Sequence, residues 1–362
     1  ATFSRIHHAL IDGQWGIRLY RETTSADPDI RGLPPFWAVK VAEKVEAEPA
    51  RHDQQQVDPD RGWLERGRAG VSEGVEVVGE LGTALGRMID SYRHPSDGGL
   101  VPIYRAPDSI LNGKLTAQRE LGVTRLGLAR LKRLAKSRGA TLNDLVMAIC
   151  GGALRRYLLE QDALPEQALV ANMIVAVTRG SDKSGGNAIA SAQVSLATHL
   201  EDPVQRFEAV RSSCEHAKEL IHGMPSPTAL NIYMGLIGLP YMLFTMLGKA
   251  EKAHAQNVII SNVVGLRDKR YSNGALIEAD YPMSLLAPGQ AMNVTVISRR
   301  DMLDVAVLVC PDLAPHAQRV GELIAESLDE LEQALGRKRQ PAVAARRPTG
   351  RSRPRRGSVQ RR

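Results

Sequence analysis

The sequence predicts an α/β (α+β) protein in which strands and helices follow one another along the chain. A continuous apolar run at residues 169–177, and a largely apolar run at 257–265 that polar residues interrupt, have the length of strands in a buried sheet. Apolar residues recur at helical spacing over residues 203–222 and 311–335. The 362 residues are enough for two domains, each with a hydrophobic core.

These patterns divide the chain into an N-terminal domain (1–165), a C-terminal domain (166–335) and a basic tail (336–362). The tail contains 11 Lys and Arg residues and no Asp or Glu, so removing it turns the net charge of +7 into −4. A segment so polar buries too little apolar surface to fold, and we expect it to be disordered. The tail alone would suggest a nucleic-acid binder. The acidic remainder lacks interleaved basic and aromatic residues, so no specific nucleic-acid partner is expected.

The three cysteines, Cys150, Cys214 and Cys310, are widely spaced and odd in number. This pattern favours neither a disulfide framework nor a zinc site, and it fits a reducing cytosol. We therefore expect no bound metal and a cytoplasmic location. The chain opens on the alternating pattern of a strand at residues 3–6, and no signal peptide is expected.

A histidine doublet, His7 and His8, follows that strand directly. Successive side chains on a strand point to opposite faces, so only one of the two imidazoles can enter a cleft. This geometry suits a single general base better than a metal site. We expect Asp12 to fix the loop by pairing with an Arg, and Gly13 to allow close approach of a substrate or backbone. The alternative is an ordinary strand and turn.

The next elements are helical by spacing. Residues 14–20 and 71–92 have apolar residues at helical intervals. Residues 70–74, GVSEG, formally match the nucleophile elbow of serine hydrolases, which needs a buried strand before it. Because no such strand precedes Gly70, we predict a loop without a nucleophilic serine.

A second helical pair occupies residues 128–159. The first helix is expected to end at Gly139, in the C′ position. Thr141 then begins the second helix as its N-cap, and Asp144 completes a capping box three residues later. Capping therefore explains Asp144 as a structural residue.

The most apolar stretch, residues 229–247, has no Asp, Glu, Lys or Arg. Its length alone would allow it to span a membrane. Gly235, Gly238 and Pro240 divide it into shorter pieces, so we expect a buried or membrane-facing helical hairpin instead.

The last third of the chain places polar residues on strands that are otherwise apolar. Ser261 and Asn262 interrupt the run at 257–265, and a buried strand does not contain such residues without partners for them. Residues 281–284, YPMS, come before a second strand at 292–296 that contains Asn293. A turn at 299–302 leads to a third strand at 303–310.

These motifs resemble those of the bacterial wax ester synthase/diacylglycerol acyltransferase family, from residue 3 to about residue 335. They occur in the family's order: HHxxxDG at 7–13, ND at 143–144, S-N-V-x-G at 261–265, Y-P-x-S at 281–284 and G-x-x-x-N-x-T-V at 289–296. The resemblance implies two domains of the chloramphenicol-acetyltransferase type, each with a mixed sheet, and a tunnel between them. Family members have a long segment before the histidine motif, so the first domain is expected to be N-terminally incomplete.

The resemblance also implies a reaction. His8 would be the general base, with His7 beside it, while Asp12 and Gly13 shape the motif. Acyl-CoA would be a co-substrate rather than a bound cofactor, and the acceptor would be diacylglycerol or a fatty alcohol.

The remaining site residues follow from the later motifs. Asn293 and Ser261 are expected to bind the oxyanion, with Asn262 as the weaker candidate. Asn143 and Asp144 correspond to the family's ND motif, and we interpret them as structural.

The expected substrates partition into lipid. This predicts a cytoplasmic protein in peripheral contact with the inner membrane or lipid droplets, with the basic tail as an electrostatic tether. An alternative is a truncated or inactive homologue that acts only as a lipid-binding module. The acceptor, the acyl-chain length and the oligomeric state stay open.

Overall fold

The computed structural model describes residue 4 and residues 13–39, 63–177 and 188–336. The histidines His7 and His8, Asp12, most of the predicted strand at 3–6 and the tail from residue 337 lie outside these residues.

Seven α-helices lie in the described ranges: α1 (Gly13–Thr23), α2 (Trp63–Arg93), α3 (Leu128–Ser137), α4 (Leu142–Glu160), α5 (Pro203–His222), α6 (Pro227–Met246) and α7 (Ala317–Gly336). The strands in the same ranges are β1 (Glu120–Gly127), β2 (Val170–Val177), β3 (Ala188–Ser195), β4 (Val258–Val264), β5 (Tyr271–Ser272), β6 (Ala275–Leu276), β7 (Met292–Arg299) and β8 (Met302–Val309).

Six of the described strands form a mixed sheet in the order β1-β8-β7-β4-β2-β3. The three central strands β7, β4 and β2 are parallel, and the outer pairs β1–β8, β8–β7 and β2–β3 are antiparallel. The short strands β5 and β6 form a separate hairpin. Strand β1 comes before residue 165 and pairs with β8 from the last part of the chain, and the proposed domain boundary there stays a prediction.

The two faces of the sheet differ in chemistry. Helices α4, α5 and α7 pack over one face, where alternate residues such as Val294 and Val305 join the hydrophobic core. The opposite face presents Ser261, Asn293, Thr295 and Asp304, as the strand registers require. We call this the polar face.

The helix boundaries around α3 and α4 agree with the predicted capping. Arg138 is the C-cap of α3, and Gly139 follows it with a φ of +63°, the left-handed conformation that glycine adopts without strain. Asp144 N–H donates to Thr141 Oγ1 at 3.2 Å, and Thr141 N–H donates to Asp144 Oδ2 at 2.9 Å. The predicted capping box is therefore confirmed.

Two sequence predictions about α2 and α7 are wrong. Residues 70–74 lie inside the 31-residue helix α2 rather than in a loop, because helical spacing extends further toward the N-terminus than expected. Helix α7 begins at Ala317 rather than at residue 311. His316 has a φ of +64°, which a helix cannot continue through, and Ala317 N–H donates to Glu120 Oε1 at 2.8 Å.

The predicted hairpin at 229–247 is also wrong, because α6 is one continuous helix through Pro240. A proline disturbs the preceding helical hydrogen bonds. Here the Tyr104 hydroxyl enters the break: Tyr241 N–H donates to Tyr104 Oη at 3.1 Å, and that hydroxyl donates to Ile237 O. A side chain distant in sequence therefore satisfies the backbone groups that the proline separates.

Candidate active site

The centre of the polar face is a short chain of hydrogen bonds. Thr295 Oγ1 lies 2.8 Å from Asn293 Oδ1 and 2.8 Å from Ser284 Oγ. The amide oxygen can only accept, so Thr295 gives its single proton to Asn293 and accepts one from Ser284. This arrangement fixes the Asn293 amide with its nitrogen directed away from Thr295.

The amide nitrogen of Asn293 is the chemically useful end. Its Nδ2 donates one hydrogen to Leu285 O at 3.3 Å, a long hydrogen bond. The side chain is only 3% exposed, and within the described residues the second amide hydrogen has no protein acceptor. A buried donor fixed in this way can stabilise a negative charge that develops beside it.

Ser261 lies next to this cluster. It pairs in register with Thr295 on the neighbouring parallel strand, so its half-buried side chain shares the polar face with Asn293. The structure therefore brings together the two residues that the sequence predicted for the oxyanion.

Asn262 lies on the opposite face, because it pairs with Val296 of the core-facing register. Its Nδ2 is 3.5 Å from Asn143 Oδ1, and Asn143 Nδ2 donates to Met173 Sδ at 3.1 Å. Asn262 and the first residue of the ND motif thus form a pair on the side of the sheet that α4 covers.

The second residue of the ND motif is held from two sides. Asp144 is 1% exposed and belongs to the capping box of α4. Lys218 of α5 places its Nζ 2.6 Å from Asp144 Oδ1. This ion pair neutralises a carboxylate that burial alone would strongly disfavour.

Helix α1 extends from the histidine motif to the edge of the polar face. It begins at Gly13, the last residue of the motif. Near its other end, the Tyr20 hydroxyl is buried beside Asp280 and Arg299 without a hydrogen bond of standard geometry to a described residue. Burial raises the pKa of Tyr20, and the Asp280 carboxylate adds to this rise, so the phenol is neutral at neutral pH. Burial also raises the pKa of Asp280, against the lowering effect of Tyr20 and Arg299.

Two cysteines are chemically quiet. Burial raises the pKa of Cys150 to about 12, and burial together with Asp144 raises the pKa of Cys214 to about 12. At neutral pH only a very small fraction of each thiol is ionised, and the thiolate is the form that attacks an acyl group. The described residues also contain no cluster of three or more His, Cys, Asp or Glu side chains that could hold a metal ion.

Comparison with known proteins decides the family. Residues 1–146 match the wax ester synthase/diacylglycerol acyltransferase catalytic domain, and residues 185–332 match the WS/DGAT C-terminal domain. The O-acyltransferase WSD of Acinetobacter baylyi is 32% identical over 339 residues, which cover 93% of this chain and 71% of that protein. The chain belongs to the wax ester synthase/diacylglycerol acyltransferase family.

Other members give the same result. A putative diacylglycerol O-acyltransferase of Mycobacterium tuberculosis is 35% identical over 341 residues, covering 93% of this chain and 71% of the relative. The solved wax ester synthase/diacylglycerol acyltransferase from Marinobacter aquaeolei has a TM-score of 0.62 and 26% identity, covering 91% of this chain and 66% of its own. The predicted family and α/β class are confirmed. The tunnel and the roles of individual site residues stay predictions.

The sequence prediction missed Thr295 and Ser284 as parts of the site. Both residues stand in the family motifs, Thr295 two positions after Asn293 and Ser284 at the end of Y-P-x-S. Alternation along a strand places Thr295 on the face of Asn293, so this signal was available. Nothing in the local sequence indicates that residue 284 folds back onto β7.

Proposed function

We propose that this acyltransferase-family chain transfers a long-chain acyl group from acyl-CoA to diacylglycerol, and to a fatty alcohol, with His8 as the general base. The observation that carries the proposal is the similarity across 93% of the chain to proteins named as O-acyltransferases. The Asn293 amide, buried and fixed on the polar face, supports it independently because acyl transfer needs such a donor.

In this mechanism His8 accepts the proton of the acceptor hydroxyl as its oxygen attacks the thioester carbonyl. A hydroxyl is a weak nucleophile at neutral pH, so a positioned base contributes roughly a hundred- to ten-thousand-fold in rate. The new C–O bond forms first, and the C–S bond then breaks to release CoA. The proton held by His8 passes to the leaving thiolate, so no acyl-enzyme is required.

The oxyanion formed in that step needs hydrogen-bond donors. Asn293 Nδ2 is the principal donor in this proposal, and the Ser261 hydroxyl is the second, since both lie on the polar face. Removal of one such donor costs about 3 kcal/mol of transition-state stabilisation. Thr295 and Ser284 contribute indirectly by fixing the orientation of the Asn293 amide.

The acceptor is taken from a lipid surface on the cytoplasmic side, either the inner membrane or a lipid droplet. Helix α6 supports this part of the proposal, because by length and composition it is the one described helix that could cross a membrane. Its exposed apolar residues form a broad stripe: Ile232, Leu236, Leu239, Met242, Leu243 and Met246. Leu230 and Tyr233 of the same helix are buried in the hydrophobic core, which favours peripheral contact over a span.

A direct assay tests the function. Purified protein is supplied with palmitoyl-CoA and either dioleoylglycerol or hexadecanol in detergent micelles, and CoA release and the acylated product are measured. His8→Ala is expected to abolish turnover with an unchanged melting temperature, and Asn293→Ala to lower kcat about a hundredfold. Wild-type turnover by a folded His8→Ala variant contradicts the mechanism. Binding of both lipids by the wild-type chain without any CoA release instead supports the lipid-binding module.

A further inference from the structure

Three charged side chains from three neighbouring strands meet at the end of the polar face. They are Arg125 of β1, Arg299 of β7 and Asp304 of β8, which we call the clamp. Asp304 is fully buried, and Arg125 Nε donates to its Oδ1 at 2.9 Å. Arg299 is 3% exposed, with its Nε 3.6 Å from Asp304 Oδ2. Burying charges is costly even in pairs, so a structural core would be served as well by apolar residues.

The clamp contacts a short stretch of backbone that crosses the polar face, residues 277–280. Each of its side chains binds a different residue of this stretch: Arg299 Nη1 donates to Ile277 O (2.8 Å), Arg125 Nη2 donates to Glu278 O (2.8 Å), and Asp304 Oδ2 accepts from Asp280 N–H (2.9 Å). The Asp280 carboxylate also lies 3.4 Å from Arg299 Nε.

The same stretch leads directly to the groups that hold Asn293. Ser284 and Leu285 follow Asp280 by four and five residues, and they contact Thr295 and Asn293. Because only three residues separate Asp280 from Ser284, the position of residue 280 limits where residue 284 can lie. The clamp therefore sets where the partners of the Asn293 amide lie.

Helix α1 is connected to the same stretch through Arg270. The buried Arg270 donates from Nε to Thr24 Oγ1 at 2.9 Å and from Nη2 to the backbone carbonyl oxygens of Arg21 and Thr24. Its own carbonyl accepts from Ile277 N–H at 2.9 Å. The helix that begins with the last residue of the histidine motif is thus tied to residue 277.

We propose that Arg299, together with Arg125 and Asp304, is a positioning residue for acyl transfer: the clamp fixes the 277–285 segment so that the Asn293 amide points at the reacting carbonyl. The inference rests on the proposed role of Asn293 in oxyanion binding. The clamp residues act through Asn293 and touch no substrate. A donor must be held within about half an ångström to be effective, which explains why charged groups are used here.

Comparing lysine variants of two buried arginines, Arg299 and Arg206, distinguishes a positioning role from a purely structural one. Arg299→Lys retains a positive charge but cannot reach the Ile277 carbonyl and both carboxylates together. Arg206→Lys is the control: Arg206 is 4% exposed, donates to Leu200 O at 2.8 Å and lies 3.3 Å from Glu330. It joins α5 to α7 in the helical layer on the other face of the sheet. Both variants are assayed well below their own melting temperatures.

The kinetic result expected for Arg299→Lys is a fall in kcat of roughly tenfold, with the KM for palmitoyl-CoA within about twofold of wild type. Arg206→Lys is expected to leave kcat within about twofold despite a lower melting temperature. In the Asn293→Ala background, Arg299→Lys should change kcat by less than about twofold, because the group it positions is absent. Equal losses in both backgrounds, or equal losses in the two lysine variants, overturn the proposal.

Hydrogen exchange gives a readout that does not depend on activity. Arg299→Lys should speed exchange in peptides covering 277–290 and 16–25, and Arg206→Lys should not. Unchanged exchange in those peptides also overturns the proposal. If the wild-type chain has no transferase activity, the proposed function fails. If Asn293→Ala keeps full kcat, the proposed role of Asn293 fails, and the catalytic role of the clamp fails with it. The exchange data then decide by themselves whether the clamp fixes the segment.

Discussion

Helices α4 and α6 are similar in length and both contain two glycines, but they have opposite environments. Most of α4 is buried between the sheet and helices α5 and α7. In α6 the buried side chains are Ala229, Leu230 and Tyr233. The helix without any charged residue is thus the more exposed one, and α4, which contains Asp144 and Glu160, is the core helix.

The difference shows that apolar composition does not by itself predict burial. An exposed apolar stripe of this size on a folded protein indicates contact with a partner or a lipid surface. The space around the glycines of the two helices differs in the same way. A Cβ on Gly151 of α4 would lie 2.6 Å from Leu196 O, whereas a Cβ on Gly235 or Gly238 of α6 would meet nothing within 4 Å.

The largest expected loss of stability comes from creating a cavity beside α4. Leu154 is 1% exposed, and Leu154→Ala should lower the free energy of unfolding by about 2–5 kcal/mol. Leu236→Ala in α6 removes the same atoms from a side chain that is 52% exposed, so its cost should stay below about 0.5 kcal/mol. Urea denaturation of both variants measures the difference. Equal costs would mean that α6 is buried in the protein as it exists in solution.

The glycines should respond in opposite directions. Gly151→Ala places a methyl group against a backbone carbonyl that cannot rotate away, and we expect a loss of about 1–3 kcal/mol. Gly238→Ala has open space and better helix propensity, so it should add up to about 1 kcal/mol. Thermal melting compares the two. A lower melting temperature for Gly238→Ala would show that a neighbour approaches α6 at this position.

Continuity of α6 should depend on the Tyr104 hydroxyl. Tyr104→Phe leaves Tyr241 N–H and Ile237 O without their bridging partner, and we expect a cost of about 1–2 kcal/mol with faster exchange in α6. Tyr241→Phe is the control on the same helix, because it removes one exposed hydrogen bond to Pro288 O. If hydrogen exchange in α6 is no faster in Tyr104→Phe than in the control, the helix remains continuous at Pro240 without the Tyr104 hydroxyl.

The smallest effect on stability is expected for charged substitutions in the exposed stripe of α6, although these should weaken lipid binding. Leu236→Glu and Leu243→Glu change exposed positions, so the free energy of unfolding should move by less than about 0.5 kcal/mol. Co-sedimentation with liposomes containing dioleoylglycerol should nevertheless fall roughly tenfold, since a charge replaces an apolar contact. Val75→Glu, at an exposed position of α2, is the control that shows whether any loss of binding is specific to α6. Unchanged sedimentation of the α6 variants would remove this helix as the lipid contact.

Much of the fold could be predicted, because local patterns and local structure agreed. Residues 203–222 form α5 as predicted, and the strands around residues 170, 258, 292 and 302 lie within a few positions of their predicted bounds. Thr141 and Gly139 took the predicted capping positions because capping depends on residues that are close in sequence. The predictions failed where a distant group intervened, as Tyr104 does at Pro240 and Glu120 does at the start of α7.

The sequence by itself determined the family, the mixed α/β class, the positions of most elements and the identity of Asn293 and Ser261 as polar residues on strands. These follow from spacing and motif, which are properties of neighbouring residues. Only the tertiary structure decided which polar residues share a face, because strand register joins residues that are far apart in sequence. Ser261 and Asn293 meet through the parallel β4–β7 pairing, and Asn262, one residue along, is turned to the opposite side. The clamp also depends on tertiary structure, because Arg125, Arg299 and Asp304 come together only when β1, β7 and β8 are adjacent.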